Sequence, residues 1–443
     1  MKNVLILGAG KSSTVLIDYM LNHAQQFDWH ITVGDINIEL AKQKINEHAF
    51  GNAIYFNVEE DLIRREAISN CDLVISLLPA FLHPKVAAEC VAMHKHFISA
   101  SYVSPEMQEL NDEAIEKDII LLNEMGLDPG IDHMSAMRLL NNIRLQGGKI
   151  NLFESYTGGL IAPEFDNNPW NYKITWNPRN VILAGQGTAK FLWDGDYKYI
   201  PYQKLFTRYD ILNVPGYGEF EGYPNRDSLQ YREVYQLSDI QTLVRGTLRK
   251  RGFCDAWNIF VQLGITDDTY EVEHIADFTW KDLLLSFLPA SHLPIELNLK
   301  SYLEINDPAM IDKIKWLGLF GDEKINLEKA TPAQALQKLI EEKLKLDSGD
   351  IDMCVMLHVI EYELNGEQIR LQSTMVTKGD DELRTAMAKT VGLPLGIAAK
   401  QILNAEITAR GVVIPVDQTI YEPVLLELEN DFGISFIETK HKK

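Results

Sequence analysis

The chain opens with an apolar strand, a glycine turn and a helix, and this order restricts its fold more than any other feature. Residues 4–7 are continuously apolar, and they run into Gly8, Ala9 and Gly10. Apolar residues then recur at helical spacing from Val15 onwards. In this order, the first glycine permits a tight turn and the second lets the backbone approach a pyrophosphate at the helix N-terminus. The sequence therefore predicts the start of a dinucleotide-binding unit.

The residues after the glycine turn bear on the kind of dinucleotide. Ser13 stands where the usual fingerprint has a third glycine, so an ordinary helix start remains an alternative. A second apolar strand at residues 31–34 ends at Asp35. An acidic residue here accepts hydrogen bonds from ribose hydroxyls and repels the extra phosphate of NADP; the alternative is a solvated aspartate at a strand end. We expect NAD or NADP, with Asp35 favouring NAD.

Further alternation of strands and helices predicts an α/β fold with a doubly wound parallel sheet. Apolar strands at 73–78, 97–99 and 119–122 continue the series. The last of them runs into an acidic turn at 123–133, which is punctuated by glycine and proline and precedes another helix. Ligands of such sheets bind at the carboxyl ends of the strands. We therefore expect this turn to line the cofactor crevice.

Composition excludes several classes of partner. The 42 Lys and Arg against 63 Asp and Glu give a net charge of −21, which disfavours nucleic acid and anionic membranes. The four cysteines lack paired spacing, which favours buried thiols in a reducing compartment over disulfides or zinc. No apolar run could span a bilayer, and the immediate first strand leaves no room for a signal peptide. We expect a cytoplasmic protein without a membrane partner.

The amino-acid composition changes beyond about residue 150, where Tyr, Trp, Asn, Gly and Pro become frequent. A strand at 153–159 is expected to end in its glycine pair. A basic cluster at 245–251 stands out in so acidic a chain. It is either a binding site for an acidic substrate or a solvated face.

The last third mixes helices and strands. Thr331 and Gln334 form the pattern of a capping box at a helix start, within a helix and hairpin segment at about 300–378. Asn365 and Gly366 predict a hairpin turn. A helix at 387–403 is expected to be interrupted at 392–394, where glycine and proline occur.

Six stretches, in this order along the chain, resemble a known family. They are residues 77–79, 101–105, 123–133, 155–159, 223–228 and 245–249. They resemble the saccharopine reductase family, the glutamate-forming saccharopine dehydrogenases, over essentially the whole chain. The most specific stretch is the turn at 123–133.

The resemblance implies an architecture and a reaction. The implied domains are a Rossmann domain (1–130), an inserted α+β domain for substrate binding and dimerisation (131–386), and a C-terminal helical return (387–443). The implied reaction belongs to lysine metabolism. NAD(P)H reduces the imine of glutamate and 2-aminoadipate 6-semialdehyde to saccharopine, reversibly. Saccharopine carries three carboxylates, which gives the basic cluster a purpose. A homodimer is also implied.

The same resemblance assigns roles to individual residues. The substrate-binding set is Ser101, Tyr102, Asp128, Arg226, Thr247, Leu248 and Arg249. The cofactor-binding set, which includes the glycine turn, is Gly8, Gly10, Lys11, Ser12, Ser13, Asp35, Leu78, Ala100, Ser101, Leu127, Asp128 and Pro129. Asp128 and Tyr102 are the predicted catalytic residues. Asp128 acts as base or as electrostatic anchor for the amine; a base would need a pKa above its usual value of about 3.9. Tyr102 relays a proton or only hydrogen-bonds.

Some residues keep alternative interpretations. Thr157 stands where the family has cysteine, so a hydrogen-bonding role survives and a thiolate role does not. His94 and His96 lack a third ligand nearby, so we predict no metal site. His133 is either catalytic or a buttress of the turn. For the whole chain, the alternatives are a carboxynorspermidine dehydrogenase-like enzyme and a non-catalytic NAD-binding sensor. The direction of the reaction in the cell stays open.

Overall fold

The computed structural model describes residues 1–183 and 186–442. In chain order its strands are β1 (Lys2–Leu7), β2 (Trp29–Asp35), β3 (Gly51–Tyr55), β4 (Leu73–Ser76), β5 (His96–Ser99), β6 (Ile120–Leu122), β7 (Lys149–Ile161), β8 (Ala189–Trp193), β9 (Asp196–Ile200), β10 (Asp210–Val214), β11 (Gly218–Pro224), β12 (Thr242–Lys250), β13 (Asp352–Leu364), β14 (Glu367–Lys378), β15 (Gly411–Val413) and β16 (Ile437–Lys442). Its helices are α1 (Thr14–Phe27), α2 (Ile38–Ile45), α3 (Asp61–Ser69), α4 (His83–Ala92), α5 (Pro105–Gln108), α6 (Asn111–Glu116), α7 (Ile131–Leu145), α8 (Pro178–Leu183), α9 (Tyr202–Leu205), α10 (Tyr231–Val234), α11 (Phe253–Leu263), α12 (Trp280–Ser286), α13 (Ile295–Tyr302), α14 (Pro308–Leu317), α15 (Pro332–Lys343), α16 (Ala386–Leu403) and α17 (Gln418–Phe432).

These elements form two compact units, of which the first contains residues 1–149 and 375–437. Its sheet has the order β3-β2-β1-β4-β5-β6-β15, and every neighbouring pair is parallel. Strands β1 to β6 follow the order 3-2-1-4-5-6 of dinucleotide-binding folds. The predicted doubly wound parallel sheet is therefore confirmed. Strand β3 was not predicted, because its residues are partly exposed or exposed and form no apolar run.

The C-terminal helix α16 packs closely against α1 within this unit. A Cβ added to Gly392 would lie 2.7 Å from the Leu16 backbone nitrogen, and one on Gly396 would lie 2.5 Å from the Tyr19 ring. The helix runs unbroken through Pro394, so the predicted interruption is wrong. Close packing of this small-residue face outweighs the local tendency of glycine and proline to end a helix.

The compact units divide the chain after residues 149 and 374, whereas the sequence predicted domain boundaries after 130 and 386. The difference at the first boundary arises from α7, which packs against α17. Arg138 of α7 forms an ion pair with Glu429, and Asn141 Nδ2 donates to Tyr421 Oη at 3.1 Å. These contacts hold α7 in the first unit.

The second unit contains residues 150–374 and the residues from Glu438 onwards. Its mixed sheet follows the path β10-β11-β12-β7-β13-β14-β16, with β8 paired to β12 and β9 paired to β8. Strand β7 continues to Ile161, so the prediction that it ends at its glycine pair is wrong. A Cβ on Gly158 would lie 2.7 Å from the Leu248 carbonyl oxygen of the neighbouring strand. Glycine here permits close approach of two strands rather than a turn.

Several local predictions are confirmed because they rest on local chemistry. Thr331 and Gln334 form the capping box of α15. Asn365 and Gly366 both have positive φ, at 53° and 80°, in the turn that joins β13 to β14.

Two features are absent from residues 1–183 and 186–442. No helix there is long and apolar enough to cross a membrane. No group of three or more His, Cys, Asp or Glu side chains there could hold a metal ion.

Candidate functional site

The glycine turn after β1 has the open geometry that a dinucleotide requires. Gly8 adopts φ +101° and a Cβ there would lie 3.3 Å from the Leu77 carbonyl oxygen, so only glycine fits without strain. Gly10 is exposed, and a Cβ there would meet nothing within 4 Å. Ser13 is buried, and its hydroxyl donates to Gly10 O at 2.8 Å. The predicted residues from Gly8 to Ser13 thus form one turn, in which Ser13 closes the loop and leaves the Gly10 side accessible. This opening fits a pyrophosphate at the helix start.

Asp35 fixes the end of β2 against that turn. Its carboxylate accepts from Ala9 N at 2.7 Å and from Asn37 N at 2.8 Å. Asp35 remains partly exposed, so its charge lies at the edge of the glycine turn. A ribose bound there would meet a carboxylate that already has two backbone donors.

The segment after β5 is held at three successive residues. Ser101 Oγ lies 3.0 Å from His83 Nε2. Tyr102 Oη donates to Asp128 Oδ1 at 3.0 Å, and Val103 N donates to Glu124 Oε1 at 3.1 Å. Predicted residues Ser101, Tyr102 and Asp128 are therefore brought together. Leu78 and Ala100, which follow β4 and β5, are partly exposed at the same edge of the sheet.

His83 is a buried partner of this segment that the sequence did not indicate. Its Nδ1 lies 3.0 Å from Ser76 Oγ, opposite the contact with Ser101. Burial lowers the pKa of His83 to about 4, so the ring is neutral near pH 7. A neutral ring donates at one nitrogen and accepts at the other, so it links the ends of β4 and β5.

The turn at 123–133 is closed by backbone geometry and buried polar contacts. Gly130 has φ +148°, and a Cβ there would lie 2.0 Å from the Gly126 carbonyl oxygen. Gly130 N donates to Asp132 Oδ1 at 2.6 Å, and Glu124 Oε2 lies 2.7 Å from His133 Nε2. His133 is fully buried, which is the position of a buttress. These contacts hold the Asp128 backbone.

Three consecutive predicted residues differ in exposure at this turn. Leu127 and Pro129 are buried, whereas Asp128 is partly exposed. The Asp128–Pro129 peptide bond is cis. Asp128 is thus the member of the three whose side chain can meet a ligand.

In the second unit, the basic cluster lies largely inside the protein. Arg245 and Arg249 of β12 are buried, and the Arg245 guanidinium lies 4.2 Å from the centre of the Tyr231 ring. Arg251 is exposed and pairs with Glu219. A solvated basic face therefore describes only the end of this cluster.

Arg249 is a buried cation whose contacts are unusual. It is 4% exposed, and among the described residues no carboxylate lies within ion-pair distance of it. Nη1 donates to Leu248 O at 2.9 Å, while Nε is buried without a hydrogen bond. The guanidinium carbon lies 5.2 and 5.3 Å from the ring centres of Tyr172 and Phe253. Aromatic faces accommodate a cation without neutralising it, so the site remains electropositive.

The neighbouring predicted residues divide between the two faces of β12. Thr247 pairs in register with Thr157 on one side and Tyr223 on the other, so these three share a face. The Thr157 hydroxyl is buried and makes no hydrogen bond with the described residues. Leu248 alternates to the opposite face and is fully buried. Its side chain therefore lies on the face of the strand opposite to Thr247, and its role in substrate binding stays a prediction.

Arg226 lies on the loop after β11. Its side chain is exposed and its φ is 48°. The preceding Asn225 donates to Thr247 Oγ1 at 2.9 Å, which ties the loop to β12. The backbone thus brings Arg226 to the edge of the strand that carries Arg249.

Comparison with known proteins now decides the family. The model described as the saccharopine dehydrogenase NADP binding domain matches residues 4–122, and the model of the saccharopine dehydrogenase C-terminal domain matches residues 126–434. The chain belongs to the saccharopine dehydrogenase family. This membership confirms the resemblance drawn from the sequence motifs.

Individual members of the saccharopine dehydrogenase family match along their whole length. Saccharopine dehydrogenase [NADP(+), L-glutamate-forming] of Schizosaccharomyces pombe is 33% identical, with 96% of each chain covered. The enzyme of that name from Saccharomyces cerevisiae is 33% identical with 98% of each chain covered. The solved apo structure of the histidine-tagged saccharopine dehydrogenase (L-Glu forming) from Saccharomyces cerevisiae superimposes with a TM-score of 0.90, at 30% identity and over 100% of both chains.

A longer relative matches over part of its own length. The mitochondrial alpha-aminoadipic semialdehyde synthase of Bos taurus is 35% identical, over 98% of this chain and 47% of the relative. The chain is an oxidoreductase with a nicotinamide cofactor. The interpretation of Asp35 as a mark of NAD finds no support in these comparisons, since NADP stands in the description of the matched domain and in the names of the two fungal enzymes.

Proposed function

We propose that the chain interconverts saccharopine with glutamate and 2-aminoadipate 6-semialdehyde, by NAD(P)-dependent amine oxidation and imine reduction. The observation that carries this proposal is the buried Arg249, which has no carboxylate partner in the part of the chain that the structure describes. A buried and unpaired charge is costly unless a ligand completes it. A planar guanidinium binds carboxylate through two parallel hydrogen bonds. A substrate with three carboxylates meets that requirement, and the family membership supports the same substrate.

The chain's own residues orient the substrate and manage its charge. The nicotinamide cofactor, when bound, donates or accepts the hydride. Arg249, with Arg226 and Thr247, holds substrate carboxylates in the second unit. Asp128, oriented by the hydroxyl of Tyr102, anchors the cationic amine of saccharopine by charge. We favour anchoring over base catalysis because a base would need a raised aspartate pKa.

The proposal is tested by a direct assay. Purified protein is mixed with saccharopine and either NAD or NADP, and reduced cofactor is followed at about 340 nm. Carboxynorspermidine serves as the competing substrate. Turnover of saccharopine supports the proposal, whereas turnover of carboxynorspermidine alone, or of neither compound, contradicts it. The comparisons do not favour the carboxynorspermidine and sensor alternatives.

We also propose a homodimer, which light scattering of the purified protein tests.

The choice between NAD and NADP is tested at Asp35. The names of the relatives favour NADP, and the negative charge at Asp35 opposes a 2′-phosphate. Replacing Asp35 with serine removes that charge, so we expect kcat/KM with NADP to rise about tenfold relative to NAD, a change of ~1.4 kcal/mol. Asp35→Asn is the matched control, because it removes the charge and keeps an acceptor for Ala9 N. An unchanged ratio in both variants would exclude Asp35 from cofactor choice.

A further inference from the structure

Tyr172 is a buried tyrosine whose hydroxyl has no partner among the described residues. The residue is 1% exposed, and its hydroxyl makes no hydrogen bond with the described residues. Its ring packs edge-on against Phe253 at 5.3 Å between centres. Asn168 Nδ2 donates to Tyr172 O at 3.0 Å and fixes the backbone. Phenylalanine would fill this place equally well, and an unpartnered buried hydroxyl lowers stability. The hydroxyl is therefore available for a hydrogen bond to a ligand.

Arg249, the neighbour of Tyr172, also has a hydrogen-bond donor that no described residue satisfies. The guanidinium of Arg249 lies 5.2 Å from the Tyr172 ring centre, and Arg249 Nε makes no hydrogen bond within residues 1–183 and 186–442. A cation over the ring face leaves the hydroxyl at the ring edge free to donate. Two adjacent side chains thus offer hydrogen-bond donors, and one of them carries positive charge. A ligand that satisfies both is an anion with acceptor oxygens.

The acid best placed to neutralise Arg249 is already occupied. Glu221 of β11 pairs in register with Arg249 of β12, so the two side chains start from the same face. The Glu221 carboxylate instead accepts from Gly252 N at 2.5 Å and from Cys254 N at 2.8 Å, at the start of α11. Those backbone amides satisfy the acid, and Arg249 keeps its charge for a ligand.

We propose that Tyr172 is a further substrate-binding residue, whose hydroxyl donates to the same substrate carboxylate that the Arg249 guanidinium holds. This inference rests on the proposed function, because it names a second donor for one carboxylate of that substrate. The Arg249 guanidinium supplies positive charge, and the Tyr172 hydroxyl supplies a hydrogen bond of fixed direction. Together they favour a planar carboxylate over a neutral amide or alcohol at this position.

The test is the replacement of Tyr172 by phenylalanine, which removes only the hydroxyl. We expect the KM for saccharopine to rise about tenfold, as for loss of one hydrogen bond to a charged group, with kcat and the KM for the nicotinamide cofactor within about twofold of wild type. Tyr202→Phe is the matched control, because its hydroxyl is also buried without a hydrogen bond to the described residues and its ring packs against Phe206. An unchanged KM for saccharopine in Tyr172→Phe overturns the proposal.

Thermal unfolding separates a binding role from a structural one. Without ligand, Tyr172→Phe should unfold at the wild-type temperature or above it, because an unpartnered hydroxyl has been removed. The increase in Tm caused by saccharopine or glutamate should be smaller in Tyr172→Phe than in wild type and Tyr202→Phe. A lower Tm without ligand and an undiminished ligand effect would overturn the proposal. Failure of the wild type to turn over saccharopine would instead contradict the proposed function, and glutamate binding would still test Tyr172.

Discussion

At the scale of single residues, burial without a charge partner is the most informative property of Arg249. Most buried arginines in folded proteins have a carboxylate within reach, because an isolated charge is costly to remove from water. Here the acid in register, Glu221, is bound by backbone amides. The protein thus retains a buried positive charge that lowers its stability and that an anionic ligand can neutralise. Binding sites commonly lower the stability of a protein in this way.

This relation predicts opposite effects of one substitution. Arg249→Met should leave the unliganded protein as stable as wild type or more so, because an unpaired buried charge is replaced by an apolar chain. Binding of saccharopine should weaken about 100-fold, as for loss of a two-point contact to a carboxylate. Urea unfolding and steady-state kinetics measure the two effects. Arg251→Met, at an exposed ion pair, should change stability by less than about 1 kcal/mol and leave the KM unchanged. A strong loss of stability in Arg249→Met would contradict this prediction, because it would mean that groups of the protein itself already neutralise the charge of Arg249.

The neutral His83 predicts a pH dependence of stability. Its pKa is lowered from the ordinary 6.5 to about 4 by burial. Between these values the unfolded chain binds a proton at this position and the folded chain does not. The free energy of unfolding should therefore fall as pH decreases from 6.5 to about 4, by up to about 3 kcal/mol, and then level off. His83→Gln should remove this part of the pH dependence, as followed by urea unfolding. Identical curves for wild type, His83→Gln and the exposed control His94→Gln would contradict it.

At the scale of elements, the contact of α16 with α1 shows how packing overrides local signals. Glycine and proline at 392–394 predict a break, yet α16 is continuous. The glycines occur where α1 approaches, so their role is spatial. A sequence displays the residue type at such a place but does not display the partner helix, which is more than 360 residues away along the chain. The capping box at Thr331 and the Asn365-Gly366 turn were predictable because all their atoms come from neighbouring residues.

Replacing Gly392 with alanine tests this packing. In an exposed helix the change would stabilise by about 1 kcal/mol. Here the new Cβ would lie 2.7 Å from the Leu16 backbone nitrogen, so we expect destabilisation of about 2 kcal/mol. Gly396→Ala, which meets the side chain of Tyr19, should cost less because that ring can shift. Chemical unfolding of both variants gives the comparison, and an increase in stability for Gly392→Ala would exclude the close contact.

At the scale of the whole molecule, the two compact units differ in how far the sequence predicts them. The first unit alternates strand and helix, so each hydrophobic run is followed by its covering helix and the architecture is readable in order. The second unit builds one sheet from strands distant in sequence, such as β7 and β12, and no local pattern encodes that pairing. The candidate binding site of this unit also depends on contacts between residues that are distant in sequence. Arg226 and Arg249 were predicted from motifs, whereas Tyr172 acquires meaning only through the contact with Arg249. His83, likewise, shows no signal until its two serine contacts are known.

The four cysteines have a practical consequence for spectroscopy. All are buried with free thiols, and burial raises the pKa of Cys71 to about 12 and that of Cys90 and Cys254 above the ordinary value. Thiolate is the species that reacts with maleimides, so the native thiols are poor targets at neutral pH. A cysteine introduced at an exposed position such as Lys11 would therefore take a fluorophore selectively. A reporter could be attached beside the glycine turn, and cofactor binding followed by its emission, without first replacing any native cysteine.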